Sequence, residues 1–294
     1  MADPEAILLA ACTDLREQVE RGESASTLIE RFQQAVFTYY SARRRSYPWR
    51  ETADPYAVLV SEVMLQQTQA DRVVGKYEAF MAAFPTLKSL AGASVAEVLL
   101  LWQGLGYNRR ALNLRRTCQR IVDEHNGNVP TDLADLIALP GIGPYTAGAI
   151  RAFAFNLPGI CIETNIRRLF IFAFFPLAEQ VSDRDILPLV AATAEGLPPR
   201  DWYYALMDVG AYLGRALPNP NRRSSHYVRQ SQFEGSNRQL RGRILKLLST
   251  GGNLPLDELG LRVGVERSAV EGLVAQLAHE GFLTLEEGEV GLAR

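Results

Sequence analysis

Between residues 5 and 212 the chain contains no convincing run of strictly alternating apolar and polar residues; its apolar positions recur at three- and four-residue intervals between proline and glycine breaks. A chain patterned this way cannot build a sheet core over that span and must pack helices. The spacing predicts helices over roughly 5–20, 26–44, 55–69, 72–83, 94–103, 108–125, 131–137, 143–154, 164–174, 183–194 and 201–213. After Gly214 the texture changes to Leu217-Pro218-Asn219-Pro220-Asn221-Arg222-Arg223-Ser224-Ser225, a turn-rich basic connector over 215–237. Beyond it, Leu240, Ile244, Leu247 and Leu248 share a helical face, Leu256–Val263 makes a second short helix, and Val270, Leu273, Val274 and Leu277 mark a third. Phe282–Leu292 reads as two short strands around an acidic glycine turn. Three helices and a hairpin predict a winged helix over 238–294. Its third helix carries Glu266, Glu271 and Glu280 against Arg267 and His279, which suits protein docking or structural capping at least as well as base reading.

Composition narrows the setting. The 294 residues are 47% apolar and 22% charged, and no apolar stretch approaches the roughly 20 residues needed to cross a bilayer. The start, Met1-Ala2-Asp3-Pro4-Glu5, carries acids where a secretory leader carries bases, so a cytoplasmic, nucleoid-associated protein is expected; it is also expected to be a monomer. Three scattered cysteines, Cys12, Cys118 and Cys161, suit buried thiols rather than disulfides or a metal site, and no metal is expected. Net charge is −2, but only Lys76, Lys88 and Lys246 are lysines, which leaves 28 arginines among the 31 basic residues. Between Arg215 and Lys246, eight basic residues (Arg215, Arg222, Arg223, Arg229, Arg238, Arg241, Arg243, Lys246) face one acid, Glu234. Forked guanidinium donors suit a phosphate backbone; a self-repelling solvated linker is the alternative.

Two motifs carry chemistry. In Leu139-Pro140-Gly141-Ile142-Gly143-Pro144-Tyr145, two glycines around an apolar anchor permit a tight turn that presents backbone amides to an anion at the start of the next helix. In Val58-Leu59-Val60-Ser61-Glu62-Val63-Met64-Leu65-Gln66-Gln67-Thr68-Gln69, helical spacing sets Glu62 among Val58, Leu59 and Leu65 on the core stripe. A carboxyl group desolvated there keeps a proton available, as a general acid requires. An arginine-paired helix carboxylate is the blander alternative, but neutral Gln66, Gln67 and Gln69 offer donors and acceptors to bases.

The order Tyr47-Pro48-Trp49-Arg50, Ser61 to Gln69, Gly104-Leu105-Gly106-Tyr107, Leu139 to Gly143, Asn165 and Ala205-Leu206-Met207-Asp208-Val209-Gly210 resembles the helix-hairpin-helix DNA glycosylases, and among them the A/G-specific adenine glycosylases, over roughly residues 28–214. The resemblance implies a mainly α, two-module fold: 1–54 packing with 171–214, and a six-helix barrel over 55–170. It implies base excision from a mismatch or damaged site in double-stranded DNA by a monofunctional glycosylase. In that reading Glu62 protonates the leaving adenine, Gln66 wedges near the lesion, Tyr107 intercalates beside the opposing base, and Asn165 lies near the acid. Gly141, Ile142 and Gly143 form the phosphate-binding hairpin, whose amides in the family can share a monovalent cation with DNA. Tyr145 stands where bifunctional relatives carry a lysine nucleophile, and none of the three lysines falls in the hairpin. Arg109, Arg222 and Arg223 complete the expected DNA-contacting set.

Three departures from the family stand out. Glu163 occupies the place of a catalytic aspartate; it either steadies a cationic sugar or simply begins the next helix. No cysteine follows Cys161, so the iron–sulfur loop is expected to be absent. A short winged helix, which could dock a protein partner, replaces the long carboxy-terminal domain. A thymine or uracil glycosylase acting on G mispairs, or a non-catalytic mismatch sensor, stays open beside the adenine reading.

Overall fold

The computed structural model describes residues 3–22, 25–227, 235–286 and 288–293, so Arg229, Glu234 and Glu287 lie outside the described residues. In chain order its helices are α1 (Pro4–Glu20), α2 (Ala25–Arg43), α3 (Pro55–Leu65), α4 (Ala70–Ala83), α5 (Leu87–Gly92), α6 (Val95–Trp102), α7 (Arg109–Glu124), α8 (Leu133–Ala138), α9 (Pro144–Phe155), α10 (Thr164–Phe174), α11 (Asp183–Ala194), α12 (Pro199–Ala216), α13 (Asn237–Gly251), α14 (Leu256–Val263) and α15 (Arg267–His279). Strands β1 (Leu254–Pro255), β2 (Leu283–Glu286) and β3 (Glu289–Leu292) form one antiparallel sheet in the order β1-β3-β2. The mainly helical fold class is therefore as expected, and α10, α11 and α14 begin and end where periodicity places them.

The chain divides into two units, 1–53 with 143–229 and 54–142 with 230–294. The seam at 143 differs from the expected one near 171, and packing explains why. In the first unit Phe153 of α9 stacks flat on Tyr204 of α12 with ring centroids 4.3 Å apart. A Cβ on Gly210 of α12 would collide with the Asn165 backbone, so α10 and α12 meet backbone to backbone. Phe32 of α2 touches Phe170 and Phe174 of α10 and Trp202 of α12, at 5.3, 4.9 and 6.0 Å between centroids. Residues 143–170 thus share an aromatic core with the amino-terminal helices.

One buried ion pair ties this unit together. Asp208 on α12 accepts two bonds from Arg50, both at 2.9 Å, and one from the Arg45 backbone N–H at 3.0 Å, while Arg45 Nε donates at 2.6 Å. The Arg50 guanidinium also lies 4.4 Å from the Tyr204 ring centroid. Removing one member of such a pair strands the other charge, so Asp208→Asn is expected to lower unfolding free energy by about 3–5 kcal/mol in denaturant titration. A loss below about 1 kcal/mol would show that desolvation already cancels the pair's attraction.

In the second unit the carboxy-terminal elements pack on the preceding helices rather than standing apart. Helix α13 lies against α6, where Gln103 Nε2 donates to Ser249 Oγ at 2.9 Å. Two elements escape the periodicity argument. Helix α5 is six residues long and is set by a Thr86–Ser89 capping box, and β1 is two residues long.

Candidate active site

Asp54 caps α3 by accepting from Tyr56 N at 3.1 Å, and Pro55 in the first turn suits the same start. Every residue from Tyr56 to Met64 is buried, so α3 is a core helix, and Glu62 is 6% exposed within it. The helix ends at Leu65, four residues earlier than its glutamine-rich continuation predicts. Gln66 is extended, Gln67 takes φ +53°, and α4 begins at Ala70. Gln66, Gln67 and Gln69 consequently lie on a turn, with Gln67 and Gln69 exposed, instead of continuing the helical face.

The cause sits on another helix. Arg110 of α7 is buried, and one of its terminal nitrogens donates to Val63 O and Met64 O, each at 2.9 Å, and to Gln66 O. The other donates to Thr68 Oγ1 at 3.1 Å, Leu105 O at 3.2 Å and Gly106 O at 3.0 Å. One side chain therefore collects the carbonyls at the end of α3 and braces the Gly104–Tyr107 loop, and burial pushes its guanidinium down to about 10. Three more α7 residues on the same stripe hold the hairpin. Thr117 Oγ1 donates to Pro140 O at 2.8 Å and Arg120 to Ala138 O at 2.6 Å, while Asn113 lies against Gly141. Gly141 has φ +76°, a conformation that favours glycine, and an added Cβ there would press on the Asn113 side chain, 2.8 Å from its amide nitrogen. Ile142 is the buried anchor. Gly143 has an ordinary extended backbone with open space about it, which leaves room for an anion at the start of α9. Gln66 Nε2 lies 3.5 Å from Gly141 O. Gln66, Tyr107 and the hairpin are thus brought onto one brace, α7, whose role the sequence reading did not assign.

Glu163 and Asn165 belong to the first unit, Glu62 to the second. Glu163 caps α10, with Oε1 accepting from Asn165 N at 2.7 Å and Ile166 N at 2.8 Å. Its Oε2 accepts from Asn165 Nδ2 at 3.1 Å, and Asn165 Oδ1 accepts from Arg168 at 2.7 Å. The same Arg168 nitrogen reaches Gly210 O at 2.7 Å. The carboxyl group is enclosed although the residue keeps some exposed surface; burial pushes it above the ordinary carboxylate value against the two amides and Arg168 and Arg167. Tyr145 is half-buried in the first turn of α9.

The expected arginines are used unequally. Arg222 is exposed in the short turn Pro220–Arg223. Arg223, expected at a phosphate, is instead spent within the fold, donating to Phe175 O, to Ala178 O at 2.9 Å and to Ile171 O at 3.2 Å. Carbonyls left at the end of α10 need a donor, and the connector supplies it. Arg109 pairs with Glu280 at 3.0 Å. Cys12, Cys118 and Cys161 are all buried thiols, a set that does not fit a four-thiolate cluster. Among the described residues no group of histidine, cysteine and acidic side chains could hold a metal ion, and no helix is long and apolar enough to cross a membrane.

Comparison with known proteins places this geometry. Residues 60–181 match the family model of the HhH-GPD superfamily base excision DNA repair proteins. Over 286 residues the chain is 34% identical to the adenine DNA glycosylase of Mycolicibacterium smegmatis, covering 87% of this chain and 97% of that one. It is 36% identical over 193 residues to the human adenine DNA glycosylase, where the match spans 61% of this chain and 35% of the human protein. Among solved structures, a thermostable thymine-DNA glycosylase superposes with a TM-score of 0.58 at 25% identity, covering 64% of this chain and 88% of that chain. A non-covalent endonuclease III–DNA complex gives 0.52 at 20% identity, over 66% and 87%, a likeness of fold. The 34% identity with the mycobacterial protein over nearly its whole length, in a helical chain whose hairpin and buried carboxyl helix are held by one brace, establishes that the chain belongs to the HhH-GPD superfamily of base excision DNA repair proteins, within its adenine DNA glycosylase branch.

Proposed function

We propose that the protein is a monofunctional DNA glycosylase that hydrolyses the N-glycosidic bond of adenine mispaired with guanine or 8-oxoguanine in double-stranded DNA. The observation that carries it is the burial of Glu62 in a core helix whose end is turned toward the hairpin by Arg110. Relatives named adenine DNA glycosylases supply the base. The target nucleotide rotates out of the duplex, a step costing a few kcal/mol and least for a mispaired base. Glu62 donates its proton to a ring nitrogen of adenine, the bond from the sugar carbon to the purine breaks with its electrons on the base, and neutral adenine leaves. Ionised Glu163, oriented through Asn165, offsets the positive charge on the sugar until water adds; the proton that water loses returns to the carboxylate of Glu62, directly or through solvent, and restores the acid. Gln66, Gln67, Gln69 and Tyr107 address the bases, Gly141 to Gly143 and Arg222 the backbone. Tyr145 in place of an amine leaves no Schiff-base nucleophile in the hairpin.

The protein is further read as a nucleoid-associated monomer that needs no iron–sulfur cluster, with its carboxy-terminal module a winged helix. Incubation with duplexes holding A, T, U or oxidised bases against each partner, followed by mass spectrometry of any released base, is expected to show adenine from A·G and A·8-oxoguanine, with no borohydride-trapped adduct. Thymine or uracil from G mispairs would replace the adenine reading. Tight mismatch binding with no base released would make the chain a sensor.

A further inference from the structure

Tyr107 combines features that its loop does not need for folding. It holds φ +48°, a left-handed conformation unfavourable for a tyrosine, and it is 37% exposed. Every carbonyl before it is tied down, Gly104 O by Arg72 at 2.7 Å, Leu105 O by Arg110 at 3.2 Å, and Gly106 O by Arg110 and by Trp102 Nε1 at 3.2 Å. An aromatic ring pushed outward on so rigid a loop is a platform for stacking a nucleobase. Two guanidinium groups address that ring. Arg110 lies 5.7 Å from its centroid, and Arg238 of α13 lies 5.8 Å from it while donating to Tyr107 Oη at 3.0 Å. The second arginine comes from the carboxy-terminal module.

That module is latched close by. Glu280, just past α15, accepts from Arg241 of α13 at 2.6 Å and pairs with Arg109 of α7 at 3.0 Å, and its backbone carbonyl accepts from Arg116 at 3.2 Å. Burial alone would raise its carboxyl, but Arg241 and Arg109 hold it below the usual glutamate value. The acid expected to face a docking partner is spent joining α15 to α7 and α13. Arg238 sits three residues before Arg241, on the same face of α13 and in reach of the loop that α7 braces.

We propose that the carboxy-terminal module acts as part of the DNA-reading surface, with Arg238 a positioning residue that sets Tyr107 for stacking on a base. The inference rests on the DNA-binding reading above and deepens it, by giving the module a role in base recognition without the acidic α15 entering a groove.

A double-mutant cycle in the full-length chain tests this, read as equilibrium affinity for an A·G duplex and, in parallel, as single-turnover base release. Tyr107→Phe keeps the ring and removes the hydroxyl; Arg238→Ala removes the guanidinium. Each is expected to weaken binding about tenfold, base release at saturating protein is expected to change less than about twofold in Arg238→Ala, and the double variant is expected to bind no worse than the weaker single. Losses that multiply to about a hundredfold overturn the proposal, because two independent contacts would be responsible. An Arg238→Ala variant with undiminished affinity overturns it, and so does an Arg238→Lys variant that binds as the parent does, since charge alone would then suffice. If the parent chain releases no base yet the cycle in binding still shows coupling, the catalytic reading fails and this one stands. A parent chain without affinity for the duplex ends both.

Discussion

Replacing Glu62 by glutamine is expected to lower single-turnover adenine release by about 10²–10⁴-fold while affinity for the mispaired duplex stays within about threefold. Glutamine matches glutamate in volume and can still accept and donate hydrogen bonds, so the packing of a residue only 6% exposed in a core helix is conserved. What it lacks is a transferable proton. Uncatalysed departure of adenine would leave the electron pair of the broken bond on an unprotonated purine, and avoiding that is the whole contribution asked of this residue. Glu62→Asp is the informative companion: it restores the acid but shortens the reach by one methylene, so an intermediate rate is expected. An unchanged rate in Glu62→Gln would remove this residue from the mechanism. A parallel loss of binding and rate would make it a structural carboxyl.

Much of this helix could be read from the sequence, and its limit is instructive. Asp54 before Pro55 marks the start of α3, and unbroken burial from Tyr56 to Met64 follows from a stretch with almost no polar position. Its end could not be read, because the glutamine run favours a helix locally and stops only where Arg110, more than forty residues later, takes the carbonyls of Val63, Met64 and Gln66. Arg110 itself left a signal. At four- and three-residue steps it leads to Leu114, Thr117 and Ile121, all buried, so its phase on α7 is the core phase, whereas Arg109 falls outside it. Of these two adjacent arginines, Arg109 pairs with Glu280 at the surface while Arg110 is the buried brace. The same limitation misassigned Arg223, since a guanidinium in a basic connector looks alike whether it will meet phosphate or the end of α10. The packing of 143–170 with the amino-terminal helices was not legible for a related reason: the close approach permitted by Gly210 lies in α12, far along the chain from the residues it captures.

Glu163 should separate stability from activity. With a folded-state carboxyl raised above its ordinary value, the native chain binds more protons than the unfolded chain between the two, so stability falls as pH rises through that window and remains lower above it. Glutamine removes the ionisation and keeps an oxygen for the amides of Asn165 and Ile166. At neutral pH Glu163→Gln is therefore expected to melt above the parent, with the gap closing as pH drops below the ordinary glutamate range. Base release is expected to move the other way, falling about 10²–10³-fold, because the charge held against the cationic sugar is gone. The pH profile carries the sign. If ionised Glu163 is required, the parent loses activity on the acid side at a pH above the usual carboxylate range, and the glutamine variant lacks that limb. Glu163→Asp keeps both the helix cap and the charge, so it should retain far more activity than Glu163→Gln. Activity close to the parent's in both would assign Glu163 to capping α10 alone, and a glutamine variant that melts below the parent at neutral pH would show that its ionised form is stabilised by Arg168 more than burial opposes it.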